Sequence, residues 1–121
     1  MEGVIHIPGA LREVNIKEDL PTVDDAIKRI TYLINNVGKS GCSAIKLIHG
    51  YGSSGKGGGI RVEARKYLVR QKSNGVIKDV IAGEDFSIFN EATIKAFYVC
   101  DDLSRDSDLE RSNNGITIVV L

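Results

Sequence analysis

The sequence predicts an α/β domain: a two-layer sandwich of one mixed four-stranded sheet, two main helices and an extra short helix. Three observations carry that expectation. Strand-like runs alternate with helix-period segments in the order β-α-β-α-β-(α)-β. A length of 121 residues suits a single domain able to bury a core of its own. The composition, 42% hydrophobic and 26% charged, is that of an ordinary folded chain rather than a disordered one.

The elements follow in chain order. Leu11–Lys17 sets Val14 and Ile16 against Asn15 and Lys17, the alternation of a short strand. Val4–Ile7 reads as a further short strand, cut off by Pro8-Gly9. Thr22 opens a helix, with Asp25 three residues on as the carboxylate of a capping box. Within it Val23, Ala26, Ile27, Ile30, Leu33, Ile34 and Val37 form one apolar stripe, and Gly38 is its expected stop. Ala44–His49 is a strand whose nearly continuous apolar run suits cover on both faces.

A glycine cluster at 50–59 leads into a second helix from about Gly59 to Gln71, with Ile60, Ala64, Tyr67 and Leu68 on one face. Asn74-Gly75 turns the chain into a strand at Val76–Ala82, and Asn113-Asn114-Gly115 turns it into a terminal strand at Ile116–Leu121. Residues 83–112 are too many for a bare loop, and Ile94, Phe97 and Tyr98 place a short helix at about 91–100. Right-handed crossovers make the first strands parallel. The last strand is left to pair with Val76–Ala82 in either sense. Ile45, Leu47, Ile77, Ile116 and Ile118 are the expected core beneath the helix at 22–37.

Several function classes are excluded or disfavoured early. The uncharged apolar run Gly115–Leu121 is far below the ~18 residues of a membrane span. Met1-Glu2-Gly3-Val4 lacks the basic region of a secretory signal. Cys42 and Cys100 show no paired spacing, so they are expected as reduced thiols in a cytoplasmic protein. The 16 basic and 16 acidic residues cancel overall, yet 56–78 carries a net +6 and 79–111 a net −6. A basic stretch of that kind suits phosphate or nucleic acid, and equally a solvated helix face.

The chemistry-bearing stretch is His49-Gly50-Tyr51-Gly52-Ser53-Ser54-Gly55-Lys56-Gly57-Gly58-Gly59. It leaves a strand and enters a helix, where loop amides and the helix N-terminus hold anions. Gly50, Gly52 and Gly55 satisfy G-x-G-x-x-G, and Gly50, Gly55 and Lys56 satisfy G-x-x-x-x-G-K. Both matches are set aside. A P-loop needs Ser or Thr after its lysine, where this chain has Gly57. A dinucleotide fingerprint follows the first strand of a longer fold. His49, at the carboxyl end of its strand, is placed to donate to a phosphate or to move a proton.

At these residues the chain resembles the Smr (small MutS-related) domain family. The resemblance rests on Thr22-Val23-Asp24-Asp25-Ala26, on His49-Gly50-Tyr51-Gly52 as the family's HGxG motif, and on Asn114-Gly115-Ile116-Thr117-Ile118-Val119-Val120-Leu121. It covers about residues 11–121 and implies one Smr-like domain. Residues 1–10 are then an N-terminal extension, and 83–112 an insertion before the last strand. It also implies a β-α-β-α-β-β sandwich like the C-terminal domain of translation initiation factor three, and binding to DNA or RNA. Several members of the family cut nucleic acid.

The first strand departs from the pattern. Where active members carry Leu-Asp-Leu-His, strand alternation gives Val14-Asn15-Ile16-Lys17, and an ungapped count from Thr22 gives Lys17, Glu18 and Asp19. Neither restores the histidine. The expected function is therefore nucleic-acid binding. The phosphate backbone would lie on Lys56, Arg61 and Arg65, with His49, Gly50, Tyr51 and Gly52 at the centre. The alternatives are a nicking endonuclease using His49 with Glu18 or Asp19, and an adaptor without a nucleic-acid role. No cofactor or protein metal set is expected, and a divalent metal is left open.

Overall fold

The computed structural model describes residues 10–19, 21–51 and 55–121, the side chains of 55–58 excepted. Seven main elements run β1 (Ala10–Asn15), α1 (Val23–Val37), β2 (Cys42–Ile48), α2 (Gly55–Ser73), β3 (Asp79–Ala82), α3 (Glu91–Val99) and β4 (Ile116–Val120). The sheet order is β1-β2-β4-β3. The β1–β2 pair is parallel, while β4 runs antiparallel to both β2 and β3. That answers the open sense of the last strand. The strand expected at Val4–Ile7 lies outside the described residues. None of the described helices is long and apolar enough to cross a membrane.

Local chemistry fixes the element ends. Thr22 caps α1, its Oγ1 accepting from the Asp25 amide at 3.1 Å. Gly38 does not stop the chain's helical course; a 3-10 turn at Gly38–Ser40 follows, and the left-handed break falls at Gly41, φ 91°. The glycines at 55–59 belong to the first turns of α2, so the loop is four residues shorter than the run of glycines suggests. The strand expected from Val76 begins at Asp79, because residues 76–78 bend to drop Ile77 into the core.

All five expected core residues are buried, but they face two ways. Ile45, Leu47, Ile77 and Val119 join Ala26, Ile30, Leu33, Ala64 and Leu68 beneath α1 and α2. Ile116 and Ile118 instead join Ala44, Ile81, Phe86, Ala96 and Leu103 beneath the 83–112 segment. The two-layer expectation is thus corrected to three layers. The reason is strand alternation: β2 and β4 present apolar side chains on both faces, and each face needs cover.

The third layer is held by charge as well as by apolar contact. Lys46, buried on β2, reaches Asp106 at 2.9 Å and also pairs with Asp108. Burial alone would lower its pKa, yet hydrogen bonds to Asp108 and Asp106 outweigh that and raise it. At the start of the segment, a Cβ on Gly83 would stand 1.8 Å from the Asn113 carbonyl oxygen. Only glycine lets the segment press against the approach to β4.

Candidate functional site

Three strand ends meet where His49 and Gly50 lie. The amides of His49 and Gly50 both donate to the Gly115 carbonyl, each at 3.0 Å, tying the end of β2 to the approach of β4. Gly50 turns the chain with φ 80°, a left-handed conformation that L side chains rarely adopt. On the other side, the Ile16 amide donates to the Ile48 carbonyl at 3.0 Å, which carries Lys17 up beside Gly50. The Lys17 Cδ lies 3.4 Å from where a Gly50 Cβ would stand. Lys17, the last residue of the run Val14-Asn15-Ile16-Lys17, is thereby the first-strand residue nearest this turn.

His49 is buried, 2% exposed, and both ring nitrogens have partners. Nδ1 lies 2.9 Å from the Gly50 carbonyl oxygen, which can only accept, so Nδ1 carries the hydrogen. Nε2 lies 2.8 Å from Thr117 Oγ1, and Arg65 Nε donates to that same oxygen at 3.0 Å. The threonine hydroxyl therefore accepts from Arg65 and donates to His49. The chain of bonds fixes one neutral tautomer. Burial lowers the His49 pKa, and the positive charges of Arg65 and Arg61 act in the same direction.

Arg65, expected on phosphate, is committed to the protein. Besides Thr117 it forms a fork to Glu84, with Nη1 at 3.0 Å and Nη2 at 2.8 Å. Nη2 also donates to the carbonyls of Ile116 at 3.0 Å and Asn114 at 3.3 Å. The hydrogen bonds from Arg65 hold the Glu84 carboxyl below its ordinary pKa. Its charge is answered in place, and the arrangement braces α2 against the start of the 83–112 segment.

Arg61 differs from Arg65. It lies one turn earlier on α2, half-buried, close enough for its charge to act on both His49 and Glu84. Among the described residues its side chain has no hydrogen-bond or ion-pair partner, and the same holds for exposed Lys17. Tyr51, which follows Gly50, stands 62% exposed. Further along α2, a shallow groove of about 430 Å³ is lined by Arg65, Lys66, Val69 and Arg70.

Gly52 and the Lys56 side chain lie outside the described residues. Glu18 and Asp19 sit exposed in the turn after β1, Asp19 with φ 66°, and neither carboxylate bonds to His49. Arg29 Nη1 donates to the Glu18 backbone carbonyl at 2.9 Å, not to its carboxylate. Among the described residues no three His, Cys, Asp or Glu side chains gather as a metal site.

Thr117 and Glu84 join the site although neither was expected as a site residue. Thr117 had a signal in the sequence: one hydroxyl inside the apolar run Ile116–Val120, where a fully buried polar group needs a partner. Glu84 had none, standing 19 positions from its arginine. Comparison of the chain with protein-family models, with curated proteins and with solved structures gave no match.

Proposed function

We propose that this chain is a cytoplasmic, Smr-like domain that binds nucleic acid through its phosphate backbone at the carboxyl end of β2. One observation carries the reading. Lys17 stands beside the positive-φ turn at Gly50, Arg61 lies close enough for its charge to act on His49, and neither side chain has a hydrogen-bond or ion-pair partner among the described residues. Unanswered cations beside backbone that turns through glycine suit an extended anion. The groove beside Lys66 and Arg70 continues the same sign of charge along α2. The order β1-α1-β2-α2-β3-β4, with 83–112 set aside, supports the Smr-like fold and the initiation-factor-three likeness.

Binding is favoured over strand cleavage by the state of His49. A neutral ring that is 2% exposed, with both nitrogens bonded, offers no open nitrogen to take a proton from water or give one to a leaving group. Labelled DNA and RNA should therefore stay intact during incubation with the protein, with or without added divalent metal.

The deciding experiment is titration of fluorescent single-stranded and duplex oligonucleotides between about 50 and 200 mM salt. Lys17→Ala and Arg61→Ala are each expected to weaken binding across sequences. Each should also reduce the slope of log K against log salt by about 0.7–0.9. Lys56→Ala is expected to behave alike. Affinity that is absent, or indifferent to salt and to these variants, would overturn the reading in favour of an adaptor role.

A further inference from the structure

The ring of Tyr51 is an unusual feature of this site. Its backbone is pinned, because the two residues before it both donate to the Gly115 carbonyl and Gly50 sets the turn. Its Cε1 passes 3.4 Å from where a Gly115 Cβ would stand, so the ring rests over a residue with no side chain to lift it away. Its hydroxyl has no hydrogen bond among the described residues. Tyr67 shows the contrast: half-buried, with its hydroxyl 2.6 Å from Thr31 Oγ1. Tyr32 and Tyr98 are exposed too, but each lies on a helix surface away from this turn. Only Tyr51 combines a fixed backbone, a glycine floor and, next to it at Gly50, the Lys17 side chain.

We infer that Tyr51 is a stacking platform for an unpaired base, which makes the site selective for single-stranded over duplex nucleic acid. The inference rests on the phosphate reading above and deepens it. A base within a duplex has both faces covered by its neighbours, whereas a single strand can turn one base out onto an aromatic ring while its phosphates meet nearby cations. Stacking of this kind tolerates any base, so the expected selectivity is for strandedness and not for sequence.

The test uses the full chain and strands of equal length: oligothymidylate, oligouridylate, an abasic sugar-phosphate strand and a duplex. Tyr51→Leu should weaken binding of the two base-bearing single strands by about five- to a hundred-fold and leave the abasic strand nearly unchanged. Tyr51→Phe should retain affinity. The chain has no tryptophan, so Tyr51→Trp supplies a lone reporter, expected to be quenched by base-bearing strands and not by the abasic one.

Three results would overturn the inference: equal losses on base-bearing and abasic strands, no quenching, or duplex bound as tightly as single strand. If the abasic strand still binds with salt dependence and still responds to Lys17→Ala and Arg61→Ala, the phosphate reading stands without the stacking platform. If no strand binds with salt dependence, both fall together.

Discussion

The two faces of the sheet treat buried polar groups in different ways. On the face beneath the 83–112 segment, Lys46 projects from the middle of β2 into Asp106 and Asp108, with Glu13 of β1 at 3.5 Å, so three carboxylates answer its charge. On the face beneath α1 and α2, Thr117 projects from β4 into a chain of bonds that runs from Glu84 through Arg65 to His49 and the Gly50 carbonyl. The first network answers its cation fully with carboxylates of the protein. The second ends at the molecule's surface, next to Lys17 and Arg61. What decides whether a cation is architectural or open to a ligand is the acceptors around it, not its residue type. Arg61 and Arg65 make the point within one turn of one helix.

Breaking the closed network should cost most. Lys46→Met leaves Asp106 and Asp108 facing each other without their cation, and a loss of about 3 kcal/mol is expected in urea denaturation. The triple variant Lys46→Met, Asp106→Asn, Asp108→Asn should recover most of it, since a buried pair is costly chiefly when half of it is removed. Arg65→Lys keeps the charge but loses the fork to Glu84 and the bond to Thr117. A smaller loss of about 1–2 kcal/mol is expected, measured in the same way.

The pH dependence sharpens the comparison on the open side. The folded His49 resists protonation, whereas the unfolded chain takes up that proton near pH 6.5. The histidine's contribution is therefore complete above about pH 6.5 and is lost as pH falls toward the lowered folded value, with a slope of at most about 1.4 kcal/mol per pH unit. Thermal or urea unfolding of wild type against His49→Gln between pH 5 and 7 should show this decline only in wild type. The smallest expected effect is on stability in Lys17→Ala and Arg61→Ala, within about 0.5 kcal/mol of wild type. A large loss in either would make these residues structural and erase the contrast with Lys46.

Much of the frame was legible because periodicity is a local signal. The stripe of α1, the run of β2 and the Thr22 cap all stand within a few residues of one another in the chain. The third layer was not legible. Phe86, Ala96, Cys100 and Leu103 are spaced across two 3-10 turns and a short helix, so no single period marks them as one apolar surface. Lys46 was hidden for a related reason. Inside an apolar strand it reads as an outward-facing residue, and only Asp106 and Asp108, some sixty positions on, make it an inward one. At the site, the His-Gly pair and Arg61 could be read from position along the chain, while the commitment of Arg65 depended on Glu84 and Thr117.

The interior place of β4 sets a timetable for the molecule. Synthesis runs from the N-terminal end, so α1, α2 and α3 are all made before residues 116–120. Until those five residues emerge, β3 has no neighbour, because it reaches β2 only across β4. The growing chain therefore carries two unfinished apolar faces at once, and one short segment closes both. A chain cut just before Ile116 would not be a smaller domain but one with two open cores.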